Sequence, residues 1–152
     1  MYYEGAVSQG QPPLAIDSCQ THHVTVLGHS LAPLVKPGDV LQIIPASCVT
    51  LVSGDLVVFR TSRSQHPVIK KLAGMTGDQL CISDDGRIFI NDVLQLTPGG
   101  LVYRIRNQRR LKLLQKYQGA MPGYFVLGNM GTLDSTRILF VAQKDIIAVV
   151  VH

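Results

Sequence analysis

The sequence predicts a mostly β domain of antiparallel strands, an all-β sandwich or folded barrel, carrying one short helix or hairpin insertion. Three observations support that reading. Short apolar runs recur at strand length, Gly-Asp pairs punctuate them, and a single basic stretch, Tyr103–Tyr117, breaks the pattern. A chain of 152 residues, 46% hydrophobic and 16% charged, is long enough to bury one sizeable core and is too apolar to be disordered.

The runs follow one another along the chain as His22–Gly28, Asp39–Ile44, Asp55–Arg60, Pro67–Ala73, Gln79–Ser83, Arg87–Ile90, Val93–Leu96, Tyr124–Leu127 and Asp145–Val151. Gly38-Asp39, Gly54-Asp55 and Gly77-Asp78 each precede a run, and Asp85-Gly86 separates two others. Glycine supplies the positive φ of a turn and aspartate bonds to nearby backbone amides, so these pairs mark strand starts and hairpins. Strands spaced roughly ten to fifteen residues apart, with turns between, indicate a sandwich or barrel.

Residues 1–21 contain Gly5, Gly10, Pro12 and Pro13 without apolar periodicity, so they are expected as a mobile tail or surface wrap ahead of a single domain, residues 22–152. The basic stretch is expected as a short helix or the end of a hairpin. It holds Arg104, Arg106, Arg109, Arg110, Lys112 and Lys116 among Leu111, Leu113 and Leu114. Such a stretch can touch an anionic membrane, nucleic acid or an acidic partner, although a solvated basic face is the commoner use.

Composition excludes several classes. The formal charge of +4 is too mild for a dedicated nucleic-acid binder, so no nucleic acid is expected. No run reaches the ~18 apolar residues of a membrane helix. The residues before Lys36 lack the basic start and apolar middle of a secretory signal, so a soluble chain without a signal or anchor is expected. Cys19, Cys48 and Cys81 are odd in number and contain no C-x-x-C, and are expected as buried or incidental free thiols. His22, His23 and His29 lack the carboxylate or cysteine spacing of a metal site, and no cofactor is expected.

Three segments carry chemistry. In Val24-Thr-Val-Leu-Gly-His-Ser-Leu-Ala-Pro33 a strand ends at Gly28 and Pro33 turns the chain, which holds the Ser30 hydroxyl on a tight turn. An isolated Ser-x-x-Pro is more often an ordinary turn. Pro67-Val-Ile-Lys-Lys-Leu-Ala-Gly-Met-Thr-Gly-Asp78 places two lysines inside a strand. A lysine among apolar groups has its charged form disfavoured and can act as a general base, whereas an exposed strand lysine is an edge gatekeeper. Strand parity puts Lys70 and Lys71 on opposite faces and leaves the choice of base open. Tyr124-Phe-Val-Leu-Gly-Asn-Met-Gly-Thr-Leu-Asp-Ser-Thr-Arg137 runs from an apolar strand into a polar loop able to orient a neighbouring site. His29 invites a Ser-His pairing, but as Ser30's neighbour its ring faces away.

Together these segments resemble the type I signal peptidase family of Ser-Lys endopeptidases and, more distantly, the peptidase halves of LexA-type self-cleaving repressors. The family's G-x-S-M-x-P, K-R-V-x-G-x-P-G-D and F-V-x-G-D-N-R-D-N-S-x-D-S-R boxes are matched in order. Here they are Gly28-His-Ser-Leu-Ala-Pro33, Lys70-Lys-Leu-Ala-Gly-Met-Thr-Gly-Asp78 and Phe125-Val-Leu-Gly128 onward. Leu31 replaces the methionine, Thr76 the proline and Gly128-Asn-Met the G-D-N, and the last loop is shorter.

The resemblance implies coiled antiparallel sheets or a partly open barrel, with a reduced cap at about residues 97–122. It implies Ser30 as nucleophile and Lys70 as base, since Lys70 stands before Gly74 as the family lysine does. By the same resemblance Thr132 hydrogen-bonds the lysine amine, and Asp134 braces the loop through Arg137. The oxyanion donors are the Ser30 backbone and the position of Gly28, which has no hydroxyl to offer. The implied substrate is a polypeptide lying as an added strand, a signal or pro-segment, cut at the outer face of the cytoplasmic membrane or in the periplasm. The expected lack of an anchor keeps a cytoplasmic site open. The altered last box leaves a second reading, a catalytically inactive module that binds extended peptides or dimerises a regulator.

Overall fold

The computed structural model describes residues 19–151, so the expected tail lies almost wholly outside them. Ten strands dominate: β1 (His22–Thr25), β2 (Val40–Pro45), β3 (Leu56–Phe59), β4 (Val68–Gly74), β5 (Gln79–Ile82), β6 (Ile88–Ile90), β7 (Val93–Leu94), β8 (Gly119–Ala120), β9 (Phe125–Leu127) and β10 (Ile146–Val150). Two short helices, α1 (Gln108–Gln115) and α2 (Ser135–Ile138), complete the regular structure with two 3-10 turns. No helix among the described residues is long and apolar enough to cross a membrane.

The strands form two antiparallel sheets, ordered β1-β2-β10-β3-β4-β9 and β7-β6-β5-β8. Neither closes into a barrel. The last strand, β10, lies between β2 and β3, pairing Val149 with Ile44 on one side and with Val57 on the other. Because the larger sheet is covered on both faces, β3 is buried throughout and reads as a continuous apolar run rather than an alternating one. One core gathers Val24, Leu31, Ile43, Val58 and Ile69, and a second gathers Val57, Phe59, Val68, Leu72 and Val126. A third joins the smaller sheet to α1 through Leu80, Ile88, Leu111 and Leu114.

The Gly-Asp pairs act as expected, and all three do so in the same way. Gly38, Gly54 and Gly77 have φ of +89°, +99° and +91°. The following aspartate accepts a bond from the amide three residues before it: Lys36 N to Asp39, Val52 N to Asp55 and Met75 N to Asp78, at 2.8, 2.9 and 2.8 Å. Each closes a turn that delivers the chain into β2, β3 or β5.

The cysteine expectation is corrected. Cys19 and Cys48 form a disulfide, leaving Cys81 as an exposed free thiol on β5. Antiparallel pairing explains it: with His22 opposite Ile43, the residues just before β1 lie beside the 3-10 turn Ala46–Cys48 that follows β2. Sequence spacing does not display such a pair, because the partners meet through strand register.

The basic stretch contains α1. The Asn107 side chain caps it by accepting from the Arg110 amide at 3.1 Å, and Leu111 and Leu114 anchor its inner face. Its six basic residues do not share one face. Arg104, Arg106 and Arg110 line a cleft, whereas Arg109, Lys112 and Lys116 are exposed.

Candidate active site

Ser30 reaches the site from the edge of the larger sheet. Just after β1, Val26 still pairs with Asp39, its amide donating at 2.9 Å, and the chain then coils through a turn in which Ala32 N donates to His29 O at 3.0 Å. The Ala32–Pro33 bond is cis. Leu31 and Val35 are drawn into the core beneath the turn, while His29 is exposed. Ser30 is 1% exposed, and its Oγ has no hydrogen-bond partner among the described residues.

The second group comes from β4. Lys70 lies opposite Val57 of β3 and is 0% exposed, whereas Lys71 is partly exposed. Burial therefore separates two lysines that alternation leaves equivalent. β9 pairs with β4 only from Lys71 onward, so Val68–Lys70 are paired on one side only.

The loop after β9 brings the two together. A Cβ added to Gly128 would lie 2.7 Å from the Ser30 carbonyl oxygen, 3.0 Å from Lys70 Cδ and 3.0 Å from Thr132 Oγ1. Ser30, Lys70 and Thr132 thus surround one point that only a glycine leaves vacant. Asn129 then fastens the serine turn. Its amide donates to Ser30 O at 2.6 Å, and its side-chain Nδ2 donates to His29 O at 3.2 Å and Ala32 O at 2.9 Å. Thr132 Oγ1 donates to Asn129 O at 2.6 Å.

Asp134 is 0% exposed and holds the loop from behind. Its Oδ2 accepts from the Tyr103 hydroxyl at 2.7 Å and from Gly128 N at 3.3 Å, and its Oδ1 accepts from Thr136 N at 3.0 Å and Thr136 Oγ1 at 2.6 Å. Burial pushes this carboxyl above its ordinary value of 3.8, and the bonds from Thr136, Tyr103 and Gly128 oppose the shift without overcoming it. Tyr103 is pushed upward too, by burial first and by the neighbouring Asp134 charge second. Ser135 Oγ accepts from Val126 N at 2.8 Å, which ties the loop to β9.

Arg137 does not brace Asp134 through an ion pair among the described residues; only its backbone amide reaches the Asp134 carbonyl, at 2.8 Å. Tyr103 takes that bracing role. It and Asn129 are the site residues that sequence reasoning passed over. The sequence signal for Asn129 is a Gly-Asn leaving a strand, a departure from G-D-N, while nothing in the sequence pairs Tyr103 with Asp134. Gly28 is buried beside the serine turn. Among the described residues no three His, Cys, Asp or Glu side chains gather as metal ligands.

The described residues thus form a β-rich domain in which Ser30, Lys70 and Thr132 gather around Gly128, and its class, a serine peptidase hydrolase, comes at the family level from comparison with known proteins. A family model described as "Signal peptidase, peptidase S26" matches residues 13–152, and the chain belongs to that family. A search of curated proteins finds no significant match.

Proposed function

We propose that this protein is a serine endopeptidase that cleaves an extended polypeptide with a Ser30–Lys70 dyad. The single observation carrying the proposal is the convergence of Ser30, Lys70 and Thr132 on the vacancy at Gly128, with the Ser30 hydroxyl shut off from solvent. Serine Oγ is a weak nucleophile until a base accepts its proton, and a lysine accepts it only as the neutral amine. Complete burial of Lys70 favours that form, because desolvation penalises the ammonium.

In the reaction Oγ of Ser30 attacks the scissile carbonyl carbon while its proton passes to Lys70 Nζ. The oxyanion that forms faces the Ser30 backbone N–H. Collapse breaks the C–N bond, and the same proton leaves with the departing amine. Water, deprotonated by Lys70, then releases the acyl group and restores the serine. Thr132 and the Asn129 clamp position the two reacting groups, and Asp134 holds the loop that carries them.

The substrate lies as an added strand against the open side of Val68–Lys70 and the free edge of β1. Its small side chains sit in shallow pockets beside the cut, and signal or pro-segments fit that description. The Cys19–Cys48 disulfide supports action in an oxidising compartment, outside the cytoplasm.

The test is digestion of a peptide library read by mass spectrometry, with Ser30→Ala and Lys70→Met compared after their folds are checked by circular dichroism. Loss of cleavage on the order of a thousandfold in both is the expected result. Undiminished cleavage in either removes the dyad. Saturable binding of extended peptides by a parent that never cleaves them would favour the noncatalytic module.

A further inference from the structure

A cleft of about 390 Å³ opens between the Arg104–Asn107 segment, the first turn of α1 and the Gly131–Arg137 segment, apart from the Ser30–Lys70 vacancy. Arg104, Arg106, Arg110 and Arg137 line it together with Asn107 and Thr136, and no acidic side chain does. Arg104 is partly neutralised by Asp85, whose carboxylate lies 3.1 Å away. Arg106, Arg110 and Arg137 make no ion pair among the described residues. Asp134, the carboxyl behind the wall, already receives four hydrogen bonds and is 0% exposed.

Guanidinium groups stay charged at any physiological pH, so four of them on one concave wall repel each other, and a concave surface concentrates their potential. The wall is held in place beforehand. Ile105 N donates to Gly86 O at 2.9 Å, Arg104 bridges to Arg87, and Asn107 caps α1 through Arg110 N. Such preorganisation lowers the cost of binding. A carboxylate offers one fork to one arginine. A phosphoryl group offers three oxygens and close to two charges, which suits several guanidinium groups at once.

We propose that this cleft is a binding site for a phosphoryl group, a function that goes beyond proteolysis and does not rest on the Ser30–Lys70 reading. The phosphoryl comes either from a soluble phosphate compound or from a phosphomonoester lipid headgroup.

Titration of the full chain with pyrophosphate, followed by amide chemical shifts, tests it. Binding should saturate, with the shifts centred on residues 104–110 and 136–137. The double variant Arg106→Gln/Arg110→Gln should weaken binding about tenfold or more, and Arg137→Gln on the facing wall should weaken it independently. Lys112→Gln/Lys116→Gln, on the outer face of α1, should leave affinity within about twofold.

Sedimentation with phosphatidylcholine vesicles, with and without phosphatidic acid, separates the two sources. Retention on phosphatidic acid that pyrophosphate competes away points to the headgroup, and pyrophosphate binding without vesicle retention points to the soluble ligand. The proposal fails if pyrophosphate binding does not saturate. It fails equally if the arginine variants bind as the parent does, or if the outer-face variant loses as much as they do.

Discussion

Asn129 donates its backbone amide to the carbonyl of Ser30 at 2.6 Å, so the loop leaving β9 grips the serine turn at the residue that bears the hydroxyl. The Asn129 side chain secures the residues on either side, His29 and Ala32. Asn129→Ala removes both of those bonds and keeps the backbone one. A loss of about 1–3 kcal/mol in urea unfolding is expected, since each neutral hydrogen bond contributes ~0.5–1.5 kcal/mol. If Ser30 is the nucleophile as proposed, the turnover number should fall more than KM rises, because Ser30 loses its placement rather than the substrate its binding surface.

Gly128→Ala tests the vacancy itself. The new methyl would stand 2.7 Å from a backbone oxygen that cannot swing aside, and 3.0 Å from both Lys70 Cδ and Thr132 Oγ1. Overpacking of this kind costs about 1–3 kcal/mol. The midpoint of denaturant unfolding should drop accordingly, and cleavage should fall further than stability does. A fully active, fully stable alanine variant would show that Ser30 and Lys70 do not depend on this point of contact.

Asp134 gives a signed pH dependence. Its folded-state value lies above 3.8, so the folded protein holds this proton over a range where the unfolded chain has released it. Its contribution to stability is fully present below the unfolded value and is lost as pH rises through the folded one. Urea midpoints measured from acid toward neutral pH should carry this falling component. Asp134→Asn should remove it, so the difference between the two curves should slope downward with rising pH.

The disulfide predicts a redox effect on stability. Closing a loop whose ends are 29 residues apart contributes about 3–4 kcal/mol in the chain-entropy model. Reduction, or Cys48→Ser, should lower the unfolding free energy by an amount of that order. Thiol titration of the unfolded, unreduced protein should find Cys81 alone.

Much of the fold is legible because β3 is an unbroken apolar run, because β4 is apolar on either side of its two lysines, and because each Gly-Asp pair builds its turn from neighbouring residues. β8 escapes notice: Gly119–Ala120 has no side-chain pattern and is a strand only because it pairs with Gln79 and Leu80. α2 reads as loop, since its four residues are set by the Asp134 cap rather than by an apolar stripe. Lys70 could not be told from Lys71 by alternation because β4 is covered on both faces, with Ile69 and Ala73 buried as well as Val68 and Leu72. The Tyr103–Asp134 bond joins groups 31 positions apart, and only the folded chain brings them together.

The position of β10 governs whether the two halves of the larger sheet hold together. β1 and β2 lead to the serine, β3 and β4 carry the lysine, and in the larger sheet the two pairs are bridged by residues 146–150 alone. Without that stave, the half of the sheet that leads to Ser30 and the half that bears Lys70 would share no strand.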